Sequence, residues 1–179
     1  MWKTRLVSAV VLAGVAALLV AFAKPSYRQG EPSVAGRAAH DFAFTLNGSP
    51  TTLSAIPAKI VVLNFWATWC PPCVDETPAL ERMYTALRPA GVTVLGVSVD
   101  QDPAAYQKFL TDNHVSFPNF RDADMEIPRA YGTKMYPETY LITPDHRIAR
   151  KFIGEQAWDS PGMLGYLRDL AAGKPPRTY

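Results

Sequence analysis

The two cysteines of the chain, Cys70 and Cys73, lie close together with Pro71 and Pro72 between them. They follow the apolar run 59–67, which predicts a buried strand, and they precede a segment with helical spacing. Cysteines at a helix N-terminus face its partial positive charge and free N–H groups, which favour a thiolate on Cys70. Because Cys73 is close enough to attack a mixed disulfide on Cys70, the spacing predicts a redox-active dithiol.

Two other interpretations of the cysteine pair are open. A structural disulfide would close so small a ring that it would constrain little of the unfolded chain. A metal site would need further ligands, and the three histidines, His40, His114 and His146, are scattered without ligand spacing, although folding could bring them together. We therefore favour the redox dithiol and expect no bound metal.

The N-terminal residues 6–23 form an uncharged apolar run with Lys3 and Arg5 ahead of it. A helix of that length spans about 27 Å, close to the roughly 30 Å hydrocarbon layer, so we expect a retained single-pass membrane anchor. A signal peptide cleaved after residues 21–23 is the alternative, and a buried core helix is a weaker one. Both membrane interpretations place the rest of the chain outside the cytoplasm.

Composition and charge suggest the domain boundaries. Residues 24–40 mix Pro, Gly, Ser and charges and predict a linker after the segment 1–23. One folded domain is expected over residues 41–173, followed by a short tail, 174–179. Residues 1–23 hold two of the 18 basic residues and none of the 16 acidic ones, so the remaining chain is nearly neutral. That balance predicts no nucleic-acid partner.

The domain alternates predicted strands and helices. Asn47-Gly48 predicts a hairpin turn. The apolar runs 59–67 and 92–100 flank a helical pattern over residues 74–87, which predicts two parallel strands joined by a helix. The other predicted elements are a helix capped by Asp102, a small helix near residues 125–132, two antiparallel strands around the turn 143–146, and a terminal helix over residues 160–172.

Two motifs resemble a known family. The sequence FWATWCPPC at residues 65–73, with YPETYLI at residues 136–142, resembles thioredoxin-fold proteins of the TlpA, ResA and DsbE type. These are membrane-anchored or periplasmic thiol-disulfide oxidoreductases of bacteria, many of which serve cytochrome c maturation. The resemblance covers residues 36–172. It implies an α/β thioredoxin-like fold, with a central mixed sheet flanked by helices, an N-terminal β-hairpin and an inserted helical segment, and it implies no cofactor.

The resemblance also implies roles for residues near the cysteines. Cys70 is the attacking thiol and Cys73 the resolving one. Pro137 is a cis-proline that faces the disulfide and offers a backbone edge to the substrate. Trp69 is expected as a partly exposed flank of the site. Tyr136 departs from the small or aliphatic residues common before that proline, so it either shapes the substrate groove or packs.

Glu76 is the remaining candidate site residue. It lies three positions after Cys73, on the same helical face. Ordinary thioredoxins keep a buried acid in the central strand, where this chain has Asn64; in the relatives it resembles, a glutamate at the position of Glu76 lies by the thiols instead. Partial burial would raise its pKa and suit it to accept the proton of Cys73. A solvated first-turn acid is the alternative, although Asp75 fits that role better.

The implied function is reduction of disulfides in extracytoplasmic proteins, either apocytochrome c or a copper-site assembly protein, with electrons from a membrane-embedded thiol donor. A disulfide-introducing oxidase is a rival, because the reduction potential sets the direction. Thiol peroxidases share the fold, but Leu63 and Ala67 occupy the Pro and Thr/Ser positions of their motif. A copper chaperone would want wider cysteine spacing and a distal histidine, for which His146 is the only candidate.

Overall fold

The computed structural model describes residues 34–46 and 48–174, which form seven strands and four α-helices. The strands are β1 (Ala43–Leu46), β2 (Ser49–Thr52), β3 (Ile60–Trp66), β4 (Val92–Ser98), β5 (Asn119–Arg121), β6 (Glu138–Ile142) and β7 (Ile148–Ile153). The helices are α1 (Pro71–Leu87), α2 (Pro103–Asp112), α3 (Glu126–Tyr131) and α4 (Pro161–Ala171). Strands and helices alternate along most of the chain, as the sequence pattern predicted.

Strand β3 is the centre of a five-stranded mixed sheet with the order β5-β4-β3-β6-β7. It pairs in parallel with β4, as predicted for strands joined by a crossover helix, and antiparallel with β6. Every residue of β3 is buried. A strand covered on both faces needs apolar side chains in both directions, which explains the continuous apolar run in the sequence.

Alternate side chains of β3 enter two hydrophobic clusters on opposite faces of the sheet. Ile60 and Val62 face α1 and α4. Leu63 and Phe65 face the β1–β2 hairpin on the other side. The hairpin is a separate two-stranded sheet. Its Phe44 ring stacks on the Phe120 ring of β5, with 4.6 Å between the centroids. The sheet is therefore a layer between helices and hairpin.

The inserted segment between β4 and β6 contains a strand that the sequence pattern did not predict. Residues 119–121 form β5, which pairs in parallel with β4 at the edge of the sheet. Only three residues take part, so the alternation of apolar and polar residues is too short to be recognised. The predicted cap of α2 is confirmed, because the Asp102 side chain accepts a hydrogen bond from the Ala104 N–H at 2.8 Å.

Residues shortly before position 41 are part of the folded domain, although their composition is typical of a linker. The Gly36 N–H donates to the Ile148 carbonyl at 2.8 Å, and the Ala39 N–H donates to the His146 carbonyl at the same distance. The His40 carbonyl accepts a hydrogen bond from the Tyr131 hydroxyl at 2.7 Å. Backbone pairing of this kind depends on the neighbouring segments in space, which composition does not report.

The apolar run 6–23 lies outside the described residues, as do the first part of the linker and the residues after 174. The membrane anchor and the cleaved signal peptide therefore both stay predictions. Within residues 34–46 and 48–174, no helix has the length and apolar character needed to cross a membrane.

Candidate active site

Cys70 and Cys73 form a disulfide at the N-terminus of α1, with 5.3 Å between their Cα atoms. Cys70 is the N-cap residue, and the Cys73 N–H donates to its carbonyl at 3.0 Å. Pro71 and Pro72 occupy the first two helical positions, where a missing N–H leaves no intrahelical bond unmade. Both cysteines are buried, and they pack with Trp66.

An apolar rim borders the disulfide. Trp69 is 63% exposed and Met135 is 52% exposed, the two large hydrophobic side chains that remain open to solvent among the described residues. The Tyr136 ring meets the Trp69 ring edge-on, with 6.0 Å between the centroids. Sequence reasoning placed Trp69 and Tyr136 near the site but did not identify Met135. Exposed aromatic and Met side chains of this kind suit contact with varied polypeptides.

The peptide bond between Tyr136 and Pro137 is cis, as the resemblance implied. Pro137 is buried directly before β6, and its carbonyl accepts a hydrogen bond from the Gly154 N–H at 2.8 Å. The next residue, Glu138, forms a buried ion pair with Lys151 of β7 at 3.1 Å. Sequence reasoning missed this pair, because nothing in the sequence shows that β6 and β7 bring the two side chains together.

Glu76 is buried on the inner face of α1, with 3% of its surface exposed. Its Oε1 atom accepts a hydrogen bond from Asn64 Nδ2 at 2.9 Å. Its Oε2 atom accepts hydrogen bonds from Trp158 Nε1 at 2.9 Å and from the Gln156 backbone N–H at 3.1 Å. The alternative prediction of a solvated first-turn acid is therefore wrong, because α1 turns Glu76 inward and leaves Asp75 exposed.

Burial decides the protonation of Glu76. Removal of the carboxyl group from water raises its pKa from 4.5 to about 7, although the hydrogen bonds from Trp158, Asn64 and Gln156 act in the opposite direction. A pKa of about 7 means that the group can both accept and release a proton near neutral pH. The position on α1 three residues after Cys73 places this group on the helical face of the resolving thiol.

The partners of Glu76 come from two separate parts of the chain, β3 and the segment after β7. Asn64 lies in β3 opposite Thr139 of β6, and its Nδ2 atom also donates to the Thr139 hydroxyl at 2.9 Å. Trp158 is fully buried between β7 and α4. A signal for Trp158 exists in principle, since a buried indole N–H needs an acceptor. The sequence does not indicate which acceptor that is.

A third buried carboxyl group, after Glu138 and Glu76, holds the loop before Cys70. Asp100, just beyond β4, accepts hydrogen bonds from both the N–H and the hydroxyl of Thr68. Its other contact is the Ser98 hydroxyl, which donates at 2.7 Å. Sequence reasoning missed this cluster as well, because Thr68 and Asp100 are far apart in the chain. Among the described residues, no group of three His, Cys, Asp or Glu side chains could hold a metal ion.

The sheet order and the place of the disulfide define a class of protein. The cysteines lie at the N-terminus of the helix that follows the central strand, and the cis-proline directly precedes the antiparallel strand beside it. This is the arrangement of a thioredoxin-fold dithiol protein. The chain belongs to the AhpC/TSA family, whose profile matches residues 35–151.

Individual relatives define the activity more closely. The chain is 30% identical over 173 residues to the thiol-disulfide oxidoreductase ResA of Bacillus thuringiensis (strain Al Hakam), a match that covers 95% of this chain and 99% of the relative. A solved structure assigned to the thiol:disulfide interchange protein DsbE of Chlorobium tepidum is 27% identical, with a TM-score of 0.67 over 78% of this chain and 96% of that one.

A secreted thiol-disulfide isomerase from Corynebacterium glutamicum is 26% identical, with a TM-score of 0.63 over 74% of this chain and 87% of that one. Together with the Cys70–Cys73 disulfide, these similarities confirm the predicted resemblance and the predicted enzyme class. The protein is a thiol-disulfide oxidoreductase of the ResA and DsbE type.

Proposed function

We propose that this protein reduces disulfides of extracytoplasmic proteins. The observation that supports this direction is the acidic character of the buried site, where Glu76 lies on the face of Cys73 and Asp100 holds the loop before Cys70. A strong oxidant stabilises its reduced form through thiolate-favouring groups. Buried carboxylates oppose a thiolate, so they make the dithiol a poorer electron acceptor and a better donor.

The proposed reaction begins with attack of the Cys70 thiolate on a client disulfide. The client S–S bond breaks, a mixed disulfide forms on Cys70, and the client sulfur that leaves takes up a proton. Cys73 then attacks the Cys70 sulfur while Glu76 accepts the Cys73 proton. The client departs with its second thiol, and the enzyme holds the Cys70–Cys73 disulfide. A dithiol donor in the membrane then returns two electrons and two protons, which restores the Cys70 and Cys73 thiols and leaves the donor as a disulfide.

The apolar rim and Pro137 suit a polypeptide client. Trp69 and Met135 are exposed and lie next in the chain to Cys70 and Tyr136, and the half-buried Tyr136 packs against the cysteine cluster. The cis-proline lies directly before β6. Apocytochrome c is the client that we favour, and a copper-site assembly protein is a second one of the same kind. Residues 6–23 would anchor the chain in the bacterial cell membrane with the domain in the periplasm, or would be cleaved to release it there.

The reduction potential of the full chain tests the direction. The protein is equilibrated with glutathione or dithiothreitol buffers of defined potential, and the fraction of free thiols is read by alkylation. A value near or below about −230 mV, in the range of thioredoxin and the glutaredoxins, is the expected result. A value near about −120 mV, as for a strong oxidant, would overturn the reductase and favour disulfide introduction.

The roles of the two cysteines are tested by trapping. The probe is an oxidised peptide that contains a CxxCH disulfide, incubated with the full chain carrying Cys73→Ser or Cys70→Ser. Cys73→Ser is expected to accumulate a mixed disulfide with the peptide, because the resolving thiol is missing. Cys70→Ser is the matched control and is expected to accumulate none. The reverse pattern would exchange the two assignments.

A further inference from the structure

The loop that leads into Cys70 is held by a side chain from the neighbouring strand. Asp100 is 2% exposed, and it follows β4 rather than the cysteine loop. The Thr68 N–H donates to both oxygens of its carboxylate at 3.1 Å, and the Thr68 hydroxyl donates to Oδ1 at 2.6 Å. Both the backbone and the side chain of Thr68, two positions before Cys70, are thus hydrogen-bonded to one buried carboxylate.

The carboxylate is itself held in place. The Ser98 hydroxyl donates to Oδ2 at 2.7 Å and accepts a hydrogen bond from the Asp100 N–H at 3.0 Å. The Val99 N–H donates to the Trp66 carbonyl at 3.0 Å, which links the end of β4 to the end of β3. Because these bonds join the ends of two central strands, the Asp100 carboxylate that binds Thr68 is held in a fixed position.

The charge of this carboxylate is not neutralised by a direct ion pair in the described structure. Arg121 is near, but its guanidinium donates to the backbone carbonyls of Asp100 and Gln101 at 3.2 and 3.3 Å. Tyr106 of α2 also lies near these groups. Burial raises the pKa of Tyr106 to about 12; the positive charge of Arg121 lowers it and the negative charge of Asp100 raises it further. The negative charge therefore acts on its neighbours.

We propose that Asp100 is a positioning residue that holds the Thr68 loop in place for Cys70 and, through its negative charge, keeps the Cys70–Cys73 pair reducing. The proposal rests on the proposed role of Cys70 as the attacking thiol. Glu76 on α1 and Glu138, which is paired with Lys151, are the other buried acids of the site. Arg121 and Tyr106 are the charged and titratable groups that β5 and α2 bring to Asp100. Asp100 touches the loop and not the sulfur atoms, so it acts on the reaction through Thr68 and through its field.

The charge is tested with Asp100→Asn in the full chain. Asn retains the shape and one acceptor oxygen for Thr68 but has no charge. The equilibrium constant with dithiothreitol is expected to shift at least about threefold toward the reduced protein, which is about 14 mV at 29.6 mV for each tenfold change. In a Cys73→Ser background, the pH of half-maximal alkylation of Cys70 by iodoacetamide is expected to fall.

Asp102→Asn is the matched control for this charge. Asp102 is exposed and caps α2, so its removal takes away the same charge outside the buried cluster. Neither the equilibrium constant nor the alkylation profile is expected to move. A folded Asp100→Asn protein with the same equilibrium constant and alkylation profile as the wild type would overturn the electrostatic part of the proposal.

The positioning part is tested at Thr68. Thr68→Val removes the hydroxyl that bonds to Asp100 with little change of volume, and Thr68→Ser keeps it. The rate at which reduced Cys70 attacks 5,5′-dithiobis(2-nitrobenzoate) is expected to fall at least about threefold in Thr68→Val and to be retained in Thr68→Ser. Equal rates in the two variants would overturn the positioning role.

These outcomes are separable from failure of the proposed function. A wild-type potential in the range of a strong oxidant would overturn the reductase, but a shift of Asp100→Asn relative to the wild type would still support the role of Asp100. Trapping by Cys70→Ser in place of Cys73→Ser would remove the premise that Cys70 attacks. Unchanged Asp100 and Thr68 variants in an otherwise confirmed reductase would overturn this inference alone.

Discussion

Glu76 links protonation to stability at the scale of one residue. In the unfolded chain its carboxyl group returns to the ordinary pKa of 4.5, whereas burial holds the folded value at about 7. Between these values the folded state binds more protons than the unfolded state, so the free energy of unfolding falls as pH rises through this window. The contribution of the neutral Glu76 carboxyl group to the free energy of unfolding is fully present below pH 4.5 and is lost as the pH rises to about 7.

Glu76→Gln is expected to remove this pH dependence, because Gln does not ionise. The free energy of unfolding of the variant, relative to the wild type, should rise by about 3 kcal/mol between pH 4.5 and pH 8, at 1.36 kcal/mol for each pH unit separating the two pKa values. Urea unfolding of the oxidised proteins across that range measures it. Asp75→Asn, on the exposed side of the same helix, is the control, and parallel curves for Glu76→Gln and wild type would contradict the linkage.

The candidate residues at this scale were predictable only in part. Cys70, Cys73 and Glu76 are recognisable because their spacing on one helix is a property of the sequence itself. The proton-holding environment of Glu76 was not predictable, since Trp158 lies 82 positions away from it. A hydrogen bond of that separation depends on how α1 packs against the segment after β7.

At the scale of elements, β4 packs closely against side chains from β3 and β5 at Gly96. A Cβ atom added there would lie 1.9 Å from Asn119 Oδ1 and 3.0 Å from Trp66 Nε1. Those two atoms are hydrogen-bonded to each other at 3.1 Å, which joins β3 to β5 across the face of β4. Any side chain at position 96 would occupy the space of the Asn119 side chain and prevent this hydrogen bond, so the place of β5 at the sheet edge depends on Gly96.

Gly96→Ala is expected to lower the free energy of unfolding by about 2 kcal/mol, because the added methyl group must displace Asn119 and break its bond to Trp66. Gly165→Ala is the matched control, since a Cβ atom at Gly165 in α4 would meet nothing within 4 Å. That variant is expected to gain about 0.5–1 kcal/mol from helix propensity. Urea unfolding measures both, and a neutral Gly96→Ala would show that β5 adjusts without cost.

At the scale of the whole molecule, the sheet joins two hydrophobic clusters into one structure. The hairpin side contains Phe44 and Leu53, and the helix side contains Trp158 and Leu167, while β3 supplies residues to both. The cysteine cluster with Trp66 lies at one end of the same strand. Because one strand supports both faces, loss of packing on either face should weaken the whole domain, including the active-site end.

Phe44→Ala tests this coupling. The variant is expected to lose about 3 kcal/mol of unfolding free energy, because a buried ring that stacks on Phe120 is replaced by a cavity. The urea transitions followed by far-UV circular dichroism and by tryptophan fluorescence should shift together. Thr45→Ala, exposed on the same strand, should change stability by less than about 0.5 kcal/mol. A transition seen by one probe alone would show instead that the hairpin unfolds by itself.

By itself, the sequence determined the local structure and the type of chemistry. The turn at Gly48, the Asp102 cap, the parallel strands around α1 and the cysteine pair at its first turn all follow from neighbouring residues, because backbone preference and hydrophobic periodicity are local properties. The similarity to a thiol-disulfide oxidoreductase over 95% of the chain then confirmed that type of chemistry.

Only the tertiary structure decided what surrounds the cysteines. It placed Asn64 and Trp158 on the Glu76 carboxyl group, fastened Thr68 to Asp100, and paired Glu138 with Lys151. These contacts join different strands, helices and loops, so they depend on strand register and on packing across the sheet. The physical reason is that a buried polar group must find its partner in space, and the distance along the chain does not report that partner.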